Sequence, residues 1–78
     1  MNPNTAIELI VEEYRNAVGR YPKFHSPHEG YAILLEEMDE LWDEVRRSPS
    51  RYNPAAVRAE AIQVAAMALR FLTDCVEE

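Results

Sequence analysis

Two pairs of oxygen-bearing side chains stand three residues apart in this sequence. Glu37 and Glu40 form the first pair, and Glu60 and Gln63 form the second. Side chains at positions i and i+3 share one patch of a helix, so two neighbouring helices would bring three carboxylates and one amide oxygen together. A ligand set made only of oxygen suits Mg²⁺ or Mn²⁺. Without a cation, clustered carboxylates repel and raise one another's pKa. If the two helices are neighbours, the spacing favours a magnesium or manganese site.

The first pair belongs to an acidic segment, residues 31–47, which reads as an amphipathic helix. Its apolar residues fall on one broad face of a helical wheel, which we expect to be buried: Tyr31, Leu34, Leu35, Met38, Leu41, Trp42 and Val45. Two groups of acids flank this face: Glu37, Glu40 and Glu44 beside it, and Glu36, Asp39 and Asp43 further toward water. Such a carboxylate row is either a solvated edge or a site for a hard cation.

Apolar periodicity and end signals predict three helices, over residues 4 to about 20, about 28 to 47, and 54 to about 76. Each has a capping side chain before it: Asn2 or Asn4, Ser26, and Asn53. Ser26 and Glu29 are spaced to form a capping box. Arg46 and Arg47 are expected in the last turn of the second helix, where cations complement the helix dipole. Since apolar and polar residues do not alternate with the period of two that is typical of strands, we predict an all-α fold.

The third predicted helix is apolar on nearly every side, so other helices must cover both of its opposite faces. Two other short helices can cover only part of it. A chain of 78 residues builds only a small core, and its one cysteine, Cys75, excludes an internal disulfide. We therefore expect one domain, residues 1–78, whose three-helix bundle is completed by a second copy in a homodimer.

Composition and charge limit the classes of partner. Eight Lys and Arg residues against 14 Asp and Glu residues give a net charge of −6. This balance argues against binding a nucleic-acid polymer, which requires clustered positive charge. The chain begins without a basic segment followed by an apolar run, and its longest apolar stretch is too short to span a bilayer. We accordingly expect a cytoplasmic protein that does not insert into a membrane.

The acidic motif carries a resemblance to a known family. The run Glu36-Glu37-x-x-Glu40, followed across a loop by a largely apolar helix with Glu60 near its start, resembles the all-α NTP pyrophosphohydrolase superfamily, the MazG-like proteins. The similarity covers the second and third predicted helices and their connection. It implies a dimeric or tetrameric enzyme that hydrolyses an NTP or dNTP to the monophosphate and pyrophosphate with Mg²⁺.

The resemblance also implies roles for individual residues. By position, Glu37, Glu40 and Glu60 would be metal ligands. Glu36 would be a further ligand or would orient the attacking water, which makes Glu36 and Glu37 the candidate catalytic residues. Gln63 stands where the family's second motif normally ends in Asp. Its amide oxygen can still coordinate a metal, but it brings no charge, so we expect weaker metal affinity.

Cationic residues near the motif are few. Lys23 and Arg58 are candidate substrate-binding residues that could reach phosphates, although either could equally be an ordinary surface charge. Three interpretations remain open at this point. The chain is a nucleotide pyrophosphohydrolase, a non-catalytic relative that binds nucleotide or metal or serves as an oligomeric interaction module, or an unrelated acidic helical dimer with a solvated carboxylate face.

Overall fold

The computed structural model describes residues 1–77, and this part of the chain is helical without strands. It contains three α-helices: α1 Pro3–Arg20, α2 Pro27–Val45 and α3 Pro54–Cys75. The all-α prediction is confirmed, and every helix end lies within two residues of its predicted position. Glu78, the last residue of the predicted domain, lies outside the described residues. None of the helices described is both long and apolar enough to cross a membrane.

All three helices begin in the way that the sequence indicates. The side chains of Asn2, Ser26 and Asn53 accept hydrogen bonds from backbone N–H groups of the first turns, at 2.8, 3.1 and 3.0 Å. Each cap is followed by proline, whose fixed φ suits the first helical position and whose missing N–H has no intrahelical partner to lose. Of the two alternatives for α1, Asn2 is the cap, and Asn4 is the residue that donates to it.

The predicted capping box of α2 forms only in part. Ser26 caps the helix, but the Glu29 carboxylate accepts from the backbone N–H of His25, at 3.1 Å, one residue before the cap. The same carboxylate lies 2.8 Å from the His25 ring Nδ1. This hydrogen bond raises the pKa of His25 and lowers the pKa of Glu29. Glu29 therefore binds His25, and it does not accept the hydrogen bond from the Ser26 backbone N–H that a capping box requires.

The end of α2 differs from the prediction. The helix stops at Val45, so Arg46 is its C-cap and Arg47 follows in the turn. Both arginines fold back onto acids of the last turn, Arg46 onto Asp43 and Arg47 onto Glu44, each at 3.0 Å. The predicted placement of the arginines inside the last turn was thus wrong by one to two residues, because these ion pairs form across the helix end.

Helix α3 is the central element of the fold. It packs against α1 and against α2, whereas within residues 1–77 the two outer helices make no direct packing with each other. A small core lies along α3, formed by Ala17, Phe24, Ala66 and Met67. Partly buried side chains surround it: Tyr14, Ile33, Leu34 and Cys75. The arrangement leaves a cleft between α1 and α2, with α3 as its floor.

Close packing at Gly30 sets the orientation of α2 on α3. A Cβ atom at this buried position would lie 2.9 Å from Cδ2 of Phe71 and 3.1 Å from Cδ2 of Phe24. Since real Cβ atoms do not approach so closely, the contact requires glycine. Glu37 stands two turns further along the same face of α2 and is therefore turned toward α3.

This orientation corrects the predicted burial of α2. Five of the apolar residues expected in the core are exposed instead, with 44–62% of their surface accessible: Tyr31, Leu35, Met38, Trp42 and Val45. We refer to these five residues as the apolar stripe. Leu34 and Leu41 are partly buried, as expected. The helical wheel identified the apolar residues correctly, but the contact at Gly30 turns most of them away from α3.

Candidate functional site

Three of the predicted metal ligands come together between α2 and α3. Glu37, Glu40 and Glu60 each offer one carboxylate oxygen, and these oxygens all lie within 4.8 Å of one another. Helix α2 supplies two of the carboxylates and α3 supplies the third. The predicted convergence of these side chains is therefore confirmed, while metal binding by them stays a prediction. We call these three residues the acidic cluster.

The acidic cluster is unevenly exposed to solvent. Glu40 is exposed, whereas Glu37 and Glu60 are partly buried. The Oε2 atom of Glu60 is inaccessible and has no hydrogen-bond partner among the described residues. Leaving a buried carboxylate oxygen without a partner is costly. A proton or a cation would remove that cost.

The pKa values in the cluster follow from this burial. Burial raises the pKa of Glu37 to about 7, and the charges of Glu40 and Glu60 act in the same direction. Burial also raises the pKa of Glu60, with a further contribution from the charge of Glu40. Near neutral pH, the metal-free cluster therefore holds Glu37 partly protonated. The site favours positive charge at its centre.

The acidic cluster suits a hard divalent cation. Its donors are carboxylate oxygens, which Mg²⁺ and Mn²⁺ prefer. Opposite ligands of Mg²⁺ stand ~4.2 Å apart, twice the usual Mg–O distance of ~2.1 Å. The three carboxylate oxygens of the acidic cluster lie within 4.8 Å of one another, so their widest separation is at most slightly larger than that between opposite Mg²⁺ ligands. Glu40 is exposed, so its side chain can adjust to close this difference.

A cavity of about 420 Å³ occupies the cleft between α1 and α2, next to the acidic cluster. Its walls come from all three helices and from the α1–α2 connection: Glu13, Ala17, Arg20, Tyr21, Pro22, Phe24, Glu29, Ile33, Glu36, Glu37, Gln63, Met67 and Arg70. Glu36, Glu37 and Gln63 are thus the predicted site residues that face this cavity. Its volume is within the range of small-molecule sites.

Arg70, which was not among the predicted site residues, lines the cavity with only 4% of its surface exposed. Its Nη2 donates to the carbonyl oxygen of Pro22 at 3.1 Å, and its Nη1 lies 3.5 Å from the Met67 sulfur. The guanidinium carbon lies 4.2 Å from the centre of the Phe24 ring, a cation–π contact. Its spacing in the sequence could have identified it, because Arg70 follows Gln63 by seven residues and therefore lies on the same face of α3.

The two predicted substrate-binding cations lie elsewhere on the surface. Lys23 and Arg58 are both exposed. Lys23 borders a depression beside Tyr14 and Asp74, and Arg58 borders a groove between the beginnings of α1 and α3. The structure therefore does not bring either side chain into the cavity, and phosphate binding by them stays a prediction.

Comparisons of the chain with protein families, with characterised proteins and with solved structures give no match.

Proposed function

We propose that this chain is a Mg²⁺-dependent nucleoside triphosphate pyrophosphohydrolase of the MazG-like type. It would hydrolyse an NTP or dNTP to the monophosphate and pyrophosphate. The observation that supports this proposal is the meeting of Glu37, Glu40 and Glu60 beside a cavity large enough for a nucleotide. The sequence motif supplies the link to this reaction, and the geometry supplies a site with suitable ligands.

In this proposal, the acidic cluster holds Mg²⁺ or Mn²⁺, with the Gln63 amide oxygen as a neutral fourth ligand. When bound, the cation neutralises phosphate charge and helps to activate a water molecule. Glu36 is exposed at the edge of the cavity, where its carboxylate can orient the attacking water and accept its proton. The water oxygen bonds to a phosphorus of the α–β anhydride, the bridging P–O bond breaks, and pyrophosphate leaves.

The proposal includes a homodimer or homotetramer in the cytoplasm. The radius of gyration is 13.4 Å, compared with about 11.5 Å for a compact domain of this length. The accessible surface is 5838 Å², compared with about 4,900 Å² for a folded monomer of this mass. The difference is close to the ~800 Å² that each partner buries in a standard interface. The apolar stripe on α2 supplies a suitable surface for a second copy.

The direct test is pyrophosphate release from a panel of NTPs and dNTPs with Mg²⁺ or Mn²⁺. We expect Glu40→Gln to lower the rate at least 100-fold, because it removes one negative charge from the acidic cluster without disturbing the core. Asp39→Asn is the matched control, since Asp39 is an exposed neighbour outside the acidic cluster. Unchanged pyrophosphate release by Glu40→Gln would show that the site is assigned wrongly.

Gln63 favours a second candidate function, a non-catalytic relative that binds nucleotide or metal or acts as an oligomeric module. Because Gln63 has an amide in place of a carboxylate, metal binding is weaker, and the chain could bind a nucleotide without hydrolysing it. In that case, the wild-type protein would bind a nucleotide only with Mg²⁺ and release no pyrophosphate. Gln63→Asp should then tighten Mg²⁺ binding, whereas Gln63→Asn, of the same size but neutral, should not.

A further inference from the structure

Arg70 is a buried cation without an anionic partner. No carboxylate of residues 1–77 lies within 4.0 Å of its guanidinium group. Glu29 is near enough for Arg70 to contribute to lowering its pKa, but the two side chains do not form an ion pair. Buried charged side chains in proteins are normally paired or bound to a ligand. The position of Arg70 in the cavity wall therefore requires an explanation.

The guanidinium group has unused hydrogen-bond donors. An arginine side chain carries five N–H donors. In the described residues, Nε is inaccessible and has no partner, while Nη1 and Nη2 have one acceptor each. Each terminal nitrogen therefore retains a second hydrogen. Because Phe24 covers one face of the guanidinium plane, a ligand would meet the group at its donor-bearing edge.

The charges around the cavity argue against a free anion as this ligand. Four glutamates line the cavity with the two arginines, Arg20 and Arg70. The surplus of negative charge would repel a phosphate that lacked a metal ion. An uncharged group that presents oxygen or nitrogen acceptors avoids this repulsion and still satisfies the guanidinium donors. The ring of Tyr21 borders the same cavity, with its centre 6.0 Å from the Arg70 guanidinium carbon, and its exposed surface remains open for stacking.

The distance along α3 from Gln63 to Arg70 shows how far the Arg70 end of the cavity is from the acidic cluster. Arg70 stands seven residues beyond Gln63 on the same face of the helix, a rise of ~10.5 Å. That separation suits a nucleoside whose phosphates lie at the acidic cluster and whose base extends toward Arg70.

We propose that Arg70 recognises the nucleobase of the substrate and that the preferred base is guanine. Guanine offers two adjacent acceptors, O6 and N7, which match the paired donors of an arginine fork. Adenine presents an amino group in place of O6, so a donor would face a donor. Tyr21 stacks on the base and Phe24 holds the guanidinium plane. This assignment rests on the proposed function for its phosphate end, but the base pocket can be tested without phosphate.

The test uses guanosine and adenosine in EDTA, with binding measured by calorimetry or by NMR titration. We expect guanosine to bind at least tenfold more tightly than adenosine, and Arg70→Met to remove the preference. Arg15→Met is the matched control, since Arg15 is exposed and lies outside the cavity. Circular dichroism and thermal melting establish that each variant is folded. If Arg70→Met does not fold, Arg70→Lys retains the charge and should still lose the paired contact with guanine.

Turnover measurements separate this inference from the proposed function. For an active enzyme, kcat/KM for GTP should fall at least tenfold in the folded Arg70 variant, while the value for ATP changes little. Equal losses for both nucleotides would refute base recognition and leave the hydrolase assignment intact. A guanosine preference that depends on Arg70, without any pyrophosphate release, would establish the base pocket and refute the hydrolase. Equal binding of both nucleosides, or binding of neither, would also refute base recognition by Arg70.

Discussion

Two side-chain atoms among the described residues are buried without a hydrogen-bond partner, Oε2 of Glu60 and Nε of Arg70. They belong to side chains of opposite charge, which lie ten residues apart on α3. Each of these two atoms has lost its hydration without gaining a hydrogen bond, which costs stability. A ligand with a cation at one end and acceptor atoms at the other would compensate the charge of Glu60 and accept from the remaining Nη hydrogens of Arg70. A metal-bound nucleotide has this chemistry.

The raised pKa of Glu37 predicts how the stability of the metal-free protein depends on pH. The carboxyl group has a pKa of about 7 in the folded chain, against 4.5 as its ordinary value. Between these values the folded state binds more protons than the unfolded state, so the free energy of unfolding decreases as pH rises. We expect the melting temperature in EDTA to be highest near pH 4.5 and to fall toward pH 7, apart from contributions of other groups.

Glu37→Gln is the control for this pH dependence, since the amide does not titrate. The variant should lose most of the decrease between pH 4.5 and 7. The raised pKa of Glu60 has the same sign and will leave a smaller decrease of its own. A wild-type melting temperature that rises over this interval in EDTA, with no difference from Glu37→Gln, would contradict the burial of the Glu37 carboxyl group.

At the scale of the helices, Gly30 and Gly19 provide a matched pair of substitutions. Alanine at Gly30 would place a Cβ atom 2.9 Å from Phe71, and overpacking of this kind costs about 1–3 kcal/mol. A Cβ atom at Gly19 meets nothing within 4 Å among the described residues. Alanine there acts only through its higher helix propensity, which should raise the free energy of unfolding by about 0.5–1 kcal/mol. We expect Gly30→Ala to lower the melting temperature and Gly19→Ala to raise it.

The two glycine variants also report on the site. Gly30→Ala should shift α2 and thereby move Glu37 and Glu40 relative to Glu60, which would weaken any metal response as well as stability. Chemical denaturation gives the free energy of unfolding for both variants. A Gly30→Ala protein as stable as the wild type would show that α2 approaches α3 less closely than described.

The sequence predicted the helices and their beginnings because these features depend on local interactions. Asn2, Ser26 and Asn53 cap the helices that directly follow them, and a proline stands at each first position. The convergence of Glu37 with Glu60 was also predictable, since i, i+3 spacing fixes the patch that each helix presents. The rotation of α2 was not, because it depends on Gly30 meeting Phe71 from another helix. A helical wheel contains no information about that contact.

Arg70 was missed for a related reason. In the sequence it only interrupts an apolar stretch of the third helix. It becomes a buried cavity residue only after the α1–α2 connection brings Pro22 and Phe24 over it. Lys23, which is adjacent in sequence to both of these residues, is exposed instead. Long-range packing therefore decides which cation faces the cavity, and residue type alone does not.

At the scale of the whole molecule, the isolated chain has a small core and an extended shape. Among residues 1–77, four hydrophobic residues are buried, whereas the five residues of the apolar stripe are exposed along α2 from Tyr31 to Val45. An apolar surface of this extent on a small protein usually marks an interface. Since a two-fold interface uses the same surface on both copies, a stripe along one helix can pair with itself.

Trp42→Glu tests this assembly, because it places a charge in the apolar stripe at a side chain that is 59% exposed. We expect the wild-type chain to sediment as a dimer or tetramer and the variant to sediment as a monomer with a lower melting temperature. Tyr52→Glu is the control: Tyr52 is a comparably exposed aromatic residue, at 46%, in the α2–α3 connection. The wild-type melting temperature should also rise with protein concentration, as it does when folding and association are coupled. A wild-type chain that stays monomeric at every concentration, with the same melting temperature as Trp42→Glu, would refute association through α2.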